Sequence, residues 1–314
     1  MKVELPIVED PIGEALHFLR MSGTLYCRSE FREPWSLGLP AMDDSLMLHV
    51  VTSGKCLLEV EGALSRVLQQ GDLALVPHGK GHVLTSAAGL PVSKLFETER
   101  QQLSERYELL RLGGDGERTS MICGLFKFDD PATRQLTTLL PKVIVVDDWS
   151  SPQSEWIQST LRMIAAEVKA MNPGGETVVT RLADILVIHA IRFWIANDPS
   201  AQTGWLRALH DPQIGRAISR IHRDPGKSWT LELLASEATM SRSAFAARFT
   251  ELVGEPAMRY VTRWRMHAAE ARLRNESVTV AEVALSLGYE SEAAFNRAFK
   301  RHMGVSPGAV KRGT

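Results

Sequence analysis

The chain has 314 residues, 44% of them hydrophobic and 23% charged, a globular composition that excludes an intrinsically disordered or fibrous protein. Its formal net charge is only −1, but residues 211–314 carry 16 Lys and Arg against 11 Asp and Glu, a net of +5 that leaves −6 on the first 210. A basic C-terminal module behind an acidic N-terminal one is the charge split of a sensor joined to a nucleic-acid binder.

The chain opens MKVELPIVEDPIGE, with acidic residues where a secretory signal would need an apolar run. Its most apolar long segment, Leu182 to Ala196, is interrupted by Asp184, His189 and Arg192 and is too short to span a bilayer. Cys27, Cys56 and Cys123 are odd in number and widely spaced. Such cysteines read as reduced thiols of a cytoplasmic protein without a membrane partner.

From about residue 20 to 130, short apolar or alternating runs (LMLHVVTSG, KCLLEVEG, SRVLQQGD, LALVPHGKGH) alternate with turns, which predicts strands of about five residues and an all-β domain. Within it, GDLALVPHGKGH (Gly71–His82) has the form G-x5-P-x-G-x2-H. Gly71-Asp72 suits a turn, Leu73–Val76 a buried strand, and Pro77–Gly81 a bend that turns His82 inward. This segment, with Pro34-Trp35, 48–62 and MICGLFKFDDP at 121–131, resembles the cupin-like sensor domain of one branch of AraC-type regulators over roughly residues 10–145. The resemblance implies a β-barrel around a small-ligand cavity, with Trp35, His49, His82 and Cys123 as effector-lining candidates. Metal-binding cupins carry an H-x-H pair here, whereas His49 is followed by Val50 and Val51. A metal normally takes three protein ligands or more, and His78, Glu59 and Cys123 lack convincing spacing. His82 is therefore read as a core or pocket histidine, and no metal or cofactor is expected.

Two helices follow, over 154–171 and 176–196. The first has Trp156, Leu161, Ile164, Val168 and Met171 at helical spacing, and the second is apolar over more than half its surface. That excess of apolar surface suggests a partner helix across a two-fold axis, hence a homodimer. NDPSAQTGWL (197–206) has the turn-rich composition of a domain boundary.

The last hundred residues contain an internal repeat. Thr230–Gly254 overlays Thr279–Gly304: Thr230 on Thr279, Leu234 on Val283, Ala235 on Ala284, then, after one extra residue in the second copy, Phe245 on Phe295, Phe249 on Phe299 and Gly254 on Gly304. Each copy reads as helix, turn, helix and glycine stop. Thr279 and Glu282 form a capping box, Ala235 and Ala284 allow close helix crossing, and each Phe pair at i, i+4 marks an inward face. The opposite faces carry Arg242, Ser243, Ala246 and Ala247 in the first copy. In the second they carry Glu292, Ala293, Asn296 and Arg297, with Lys300 and Arg301 one turn on. Such helices fit the major groove of double-stranded DNA, where Arg reads guanine, Asn reads adenine and Ala meets a thymine methyl. Between the copies, Glu255–Asn275 is an Arg-rich helix of roughly 30 Å, close to one DNA turn.

LASEATMSRSAFAARF (234–249), Arg265-x3-Ala269-x3-Leu273 and VALSLGYESEAAFNRAFKRHMGVSP (283–307) together resemble the DNA-binding domain of the AraC/XylS family over about 211–312. Family members usually have Gly at the first turn, where this chain has Thr239. The resemblance implies that the outward residues of both copies face DNA. The organisation expected is α+β and multidomain: a cupin-like effector domain (1–148), helical linker and dimerisation helices (149–198), a linker (199–210) and two helix-turn-helix units (211–314). The function expected is a sequence-specific transcriptional regulator that responds to a small-molecule effector and works with RNA polymerase. A cupin-type metal-dependent enzyme with accessory DNA binding, and a regulator that needs no ligand, are the alternatives. No nucleophile–base pair, Walker loop or dinucleotide fingerprint accompanies them, so the chain is not read as an enzyme.

Overall fold

Along Lys55–Val60 exposed or half-buried positions alternate with buried ones, the period-two signature of a strand with one face on a core. The computed structural model describes residues 21–42, 45–128, 137, 140–147, 152–170, 172–202, 204–275 and 277–312. Of the segments read from the sequence, residues 1–20, 43–44, 129–136, 138–139, 148–151, 171, 203, 276 and 313–314 lie outside these. The chain divides at Asn197/Asp198 into two compact units.

The first unit holds twelve described strands: β1 (Met21–Arg32), β2 (Ser36–Leu39), β3 (Ser45–Ser53), β4 (Lys55–Val60), β5 (Leu64–Gln69), β6 (Leu73–Val76), β7 (His82–Thr85), β8 (Ser93–Lys94), β9 (Arg100–Ser104), β10 (Tyr107–Gly113), β11 (Arg118–Phe128) and β12 (Ile144–Val146). They form a seven-stranded sheet in the order β12-β6-β3-β11-β1-β10-β9 and a five-stranded sheet in the order β5-β4-β7-β2-β8. Both sheets send side chains into one core: Phe31, Met47, Val51, Leu110 and Met121 from the larger, Leu37, Leu58 and Leu84 from the smaller. This shared interior makes the domain a cupin-type barrel of two sheets closed over one core. Register places Cys27 opposite Cys123 across β1 and β11, and Cys123 opposite His49 across β11 and β3.

Helices α1 (Pro152–Ala170) and α2 (Gly175–Asn197) belong to this unit. Val179, Ala183, Leu186, Val187, Ala190 and Ile191 are buried along α2, which touches β12, β6 and β1. Trp156, Met163 and Val178 remain exposed at 61%, 50% and 44%.

The second unit is helical: α3 (Gly204–His210), α4 (Ile214–Arg223), α5 (Leu231–Glu237), α6 (Arg242–Val253), α7 (Ala257–Asn275), α8 (Val280–Ser286), α9 (Glu292–Met303) and α10 (Pro307–Arg312). Within 199–210 the chain forms a 3-10 turn and then α3, whose Leu206, Ala208 and Leu209 are buried. Asp211 caps α4 by accepting from the Gln213 and Ile214 amides, and its other oxygen accepts from Arg248 Nε (2.9 Å) and Nη2 (2.5 Å) on α6. Helix α7 serves two cores. Its first half packs Tyr260 against Phe249 (ring centroids 5.6 Å apart), and its second half packs Met266, Ala269 and Leu273 with Val283, Ala284, Phe295 and Phe299.

Thr239 and Gly288 occupy matching turn positions with φ of +53° and +77°, and Thr239 is the one non-glycine with positive φ among the described residues. A left-handed β-branched residue costs about 1–2 kcal/mol. In the second copy the turn is also crowded: a Cβ on Gly288 would stand 2.5 Å from the Gly226 carbonyl oxygen. The two turns therefore respond oppositely to substitution. Thr239→Gly should stabilise the helical unit by about 0.5 kcal/mol, net of the chain entropy glycine adds, and Gly288→Ala should destabilise it by more than about 1 kcal/mol. Urea unfolding of the full chain checks both signs, and equal shifts in one direction would remove the argument.

Candidate nucleic-acid interface and barrel site

Each half of the repeat is built from a small number of local interactions. Thr230 and Thr279 start α5 and α8, their hydroxyls accepting from the Leu233 and Glu282 amides, and Glu282 returns to the Thr279 amide to complete a capping box. Ser241 and Ser291 start α6 and α9 in the same way, accepting from the Ala244 and Ala294 amides. Gly254 and Gly304 close these helices in left-handed conformation, donating to the Thr250 and Lys300 carbonyls.

Burying Phe245 and Phe249 turns the other side of α6 to solvent: Arg242, Ser243 and Ala247 are exposed and Ala246 is half-buried. Burying Phe295 and Phe299 does the same for α9, leaving Glu292, Ala293, Arg297, Lys300 and Arg301 exposed and Asn296 half-buried. The two surfaces differ in their commitments. Arg242 Nη1 donates to Glu232 at 2.8 Å, and Ser243 Oγ lies 3.4 Å from Ser241 Oγ. No side-chain hydrogen bond or ion pair among the described residues engages Asn296, Arg297, Lys300 or Arg301.

The arginines of α7 are engaged within the helical unit. Arg265 donates to the carbonyls of Pro225 (2.7 Å) and Lys227 (2.8 Å), holding the α4–α5 loop, while Arg263 pairs with Glu255 and Arg274 with Glu270. The sequence marks Arg265 only as part of a spacing pattern. Its structural role has no local signal, because its partners are about 40 residues away.

In the barrel, three of the four effector candidates meet. His49 Nε2 and His82 Nε2 are 2.7 Å apart, and His49 Nδ1 is 3.1 Å from Cys123 Sγ. His82 Nδ1 lies 3.3 Å from the Lys80 carbonyl oxygen, which can only accept. His82 must therefore donate there and accept from His49 Nε2–H, so His49 Nδ1 accepts from the Cys123 thiol. Every bond in this chain is satisfied by two neutral imidazoles and a protonated thiol. Burial holds both imidazoles neutral, with His49 well below the usual imidazole range and His82 lowered to about 4. Burial, then the neighbouring Cys27, pushes the Cys123 thiol well up, and Cys27 itself is raised to about 11. These are the attributes of unreactive thiols.

Cys27, His49 and Cys123 line an apolar cavity of about 60 Å³ with Leu37, Met47 and Leu110. Trp35 stands apart from it, 3% exposed and stacked on Phe31 at 4.3 Å, with its indole N–H unpartnered. Among the described residues no three His, Cys, Asp or Glu side chains are arranged to hold a metal ion. His49 presents one nitrogen to His82 and the opposite one to Cys123, so a single ion cannot take all three. No described helix is long and apolar enough to cross a membrane.

With this geometry in place, comparison with known proteins is informative. The family model described as "Cupin" matches residues 10–196, and the one described as "Helix-turn-helix domain" matches residues 234–313. A putative AraC-like transcription regulator of Streptomyces antibioticus is 33% identical over 96% of this chain and 98% of its own length. The HTH-type transcriptional regulator AlkR of Acinetobacter baylyi is 28% identical over 95% of this chain and 97% of its own. Among solved structures, the DNA-binding domain of AdpA in complex with a target DNA is 29% identical, covering 33% of this chain and 92% of that one, with a TM-score of 0.32.

The buried histidines set a pH dependence. In the unfolded chain an imidazole titrates near 6.5, so below that pH the unfolded state binds more protons than the fold does. The stability that neutral His82 contributes is complete above about pH 6.5 and is lost as pH falls toward its folded value of about 4. The full loss approaches about 3 kcal/mol for that residue. His222 in the helical unit, lowered to about 3 by burial, acts in the same sense. Urea unfolding at pH 7.5 and 4.5 should show a smaller difference for the barrel of His82→Gln than for the parent, and identical differences would refute the assignment.

Proposed function

The chain belongs to the AraC-like family of helix-turn-helix transcription regulators that carry an N-terminal cupin domain, and from that premise we propose how its parts divide the work. It is a DNA-binding regulator of transcription, and α9 is its principal base-reading helix. The observation that carries this reading is the free polar face of α9: Asn296 and Arg297 have hydrogen-bonding reach and no intramolecular partner among the described residues. Arg suits guanine and Asn adenine in the major groove, while Lys300 and Arg301 supply phosphate contacts. Helix α6, with Ser243, Ala246 and Ala247 outward, contributes shape and thymine-methyl contacts. Its charged member, Arg242, is shared with Glu232.

The barrel is the effector domain, and the protein has no catalytic role of its own. The inward-tied His49–His82–Cys123 chain supports this, since it leaves neither a free base nor a nucleophilic thiolate. The active form is a homodimer through α1 and α2, whose exposed Trp156, Met163 and Val178 suit a second copy, and RNA polymerase is the complex a promoter-bound dimer acts upon. It works in the cytoplasm.

Gel-shift titration on the DNA upstream of its own gene tests the central reading. Arg297→Ala should weaken specific binding by about 1–3 kcal/mol and relax preference at one base pair, while Lys300→Ala should weaken binding to all sequences and lower the salt slope by about 1. Equal losses on specific and random DNA for Arg297→Ala would remove α9 as the reader. Trp156→Asp should halve the mass seen by light scattering, and an unchanged mass would displace the dimer from these helices.

A further inference from the structure

The cavity beside His49 and Cys123 is small for an effector site. At about 60 Å³ it holds one or two waters, whereas ligand sites commonly measure about 300–1,000 Å³. A groove of that larger class, about 730 Å³, lies at the end of the seven-stranded sheet between β1, the β8–β9 segment and the β10–β11 turn. Resting on the reading that this domain is the sensor, we propose that its effector is a small oxyanion, a phosphate ester or a polycarboxylate, held in this groove by Arg32, Arg111 and Arg118.

The first argument is an excess of donors. The Glu30 carboxylate, with its side chain 17% exposed, receives Arg28 at 2.5 Å, Arg111 at 3.2 Å and Arg118 at 3.2 Å. Three guanidiniums bring three positive charges and five N–H donors each to one carboxylate with about four acceptor directions. Arg32 adds a fourth, its Nη1 reaching only the Gly116 carbonyl at 3.4 Å. Nearby Lys94 and Glu97 neutralise each other at 2.8 Å, and Glu99 is the remaining acid of the lining, so the residues lining the groove keep a surplus of +1.

The second argument is the register. Arg32 and Arg118 lie directly opposite each other on adjacent antiparallel strands, as do Glu30 and Ser120 one step along. Like charges directly opposite are destabilising, and an anion between them turns that repulsion into a bidentate clamp. On the other side Arg32 lies opposite Gly113, whose φ is +110° and where a Cβ would stand 1.7 Å from the Arg32 carbonyl oxygen. The strand approaches closely there without a side chain, which leaves the floor of the groove open beside two guanidiniums. Planar forks at fixed cross-strand spacing suit a tetrahedral phosphate or paired carboxylates better than a halide.

Calorimetry and thermal shift on the full chain, with inorganic phosphate and with citrate against sodium chloride of matched ionic strength, test the proposal. Phosphate or citrate should raise the melting temperature above the chloride control, and which of the two binds names the chemistry. Arg111→Ala with Arg118→Ala should weaken that binding at least about tenfold, and the milder Arg118→Gln should weaken it in the same direction. No binding of either anion at millimolar concentration, or binding unchanged by these substitutions, would overturn the proposal. Gel shift keeps its failure distinct from that of the regulator reading. The double variant should still bind DNA but lose any response of DNA affinity to the anion, whereas loss of DNA binding by the parent chain would sink the regulator reading and leave the anion site standing.

Discussion

The helical unit depends on one constraint: in each repeat two phenylalanines one helical turn apart must leave water. Phe245, Phe249, Phe295 and Phe299 are fully buried, and truncating such a side chain to alanine typically costs about 3–5 kcal/mol. Their spacing fixes the rotation of α6 and α9 about their axes, and with it which residues face outward. Ala235 and Ala284, both 2% exposed, let the preceding helix cross closely enough to cover the rings. The caps at Ser241 and Ser291 then set where each reading helix begins, so Arg242 and Glu292 stand at its first turn. Which residues stand on the outer face of each helix is thus a by-product of core packing.

The barrel follows the reverse logic, since its polar residues are the ones driven inward. His49, His82 and Cys123 survive burial because each donor finds an acceptor, with the Lys80 carbonyl fixing the direction of the whole chain. The direction matters chemically. A thiol that donates to imidazole is not the thiolate an oxidant or electrophile needs, so the cluster rigidifies the barrel rather than arming it. That leaves ligand chemistry to surfaces where donors exceed acceptors, as they do around Glu30.

What the sequence disclosed was whatever local rules determine. The repeat, the capping box, the Phe faces and the glycine stops each arise within a dozen residues, and each recurs, so their agreement makes the helix-turn-helix pairs legible. Thr239 was legible as a departure from the expected glycine, and its φ of +53° shows the turn keeping its geometry despite the side chain. The contact of His49 with His82 was not legible, because 33 residues and a sheet-to-sheet closure separate them. Trp35 carries the same signal whether it lines a cavity or stacks on Phe31, and only the packing distinguishes the two. The three arginines that reach Glu30 lie on three strands, β1, β10 and β11, and a count of charges over the first 210 residues, net −6, conceals them.

A sensor must reach its output through structure it shares with it. His49 lies opposite Ala74 across β3 and β6, β6 pairs with β12, and both β6 and β12 touch α2, which ends at Asn197 where the first unit ends. On the other flank β1, whose Arg28, Glu30 and Arg32 form one side of the arginine groove, also touches α2. Helix α2 buries Ala183, Val187, Ala190 and Ile191, small and β-branched residues that pack closely and tolerate little displacement. An anion that drew Arg32 and Arg118 together would change the spacing of β1 and β11, and the element packed against β1 is the one that leads out of the domain.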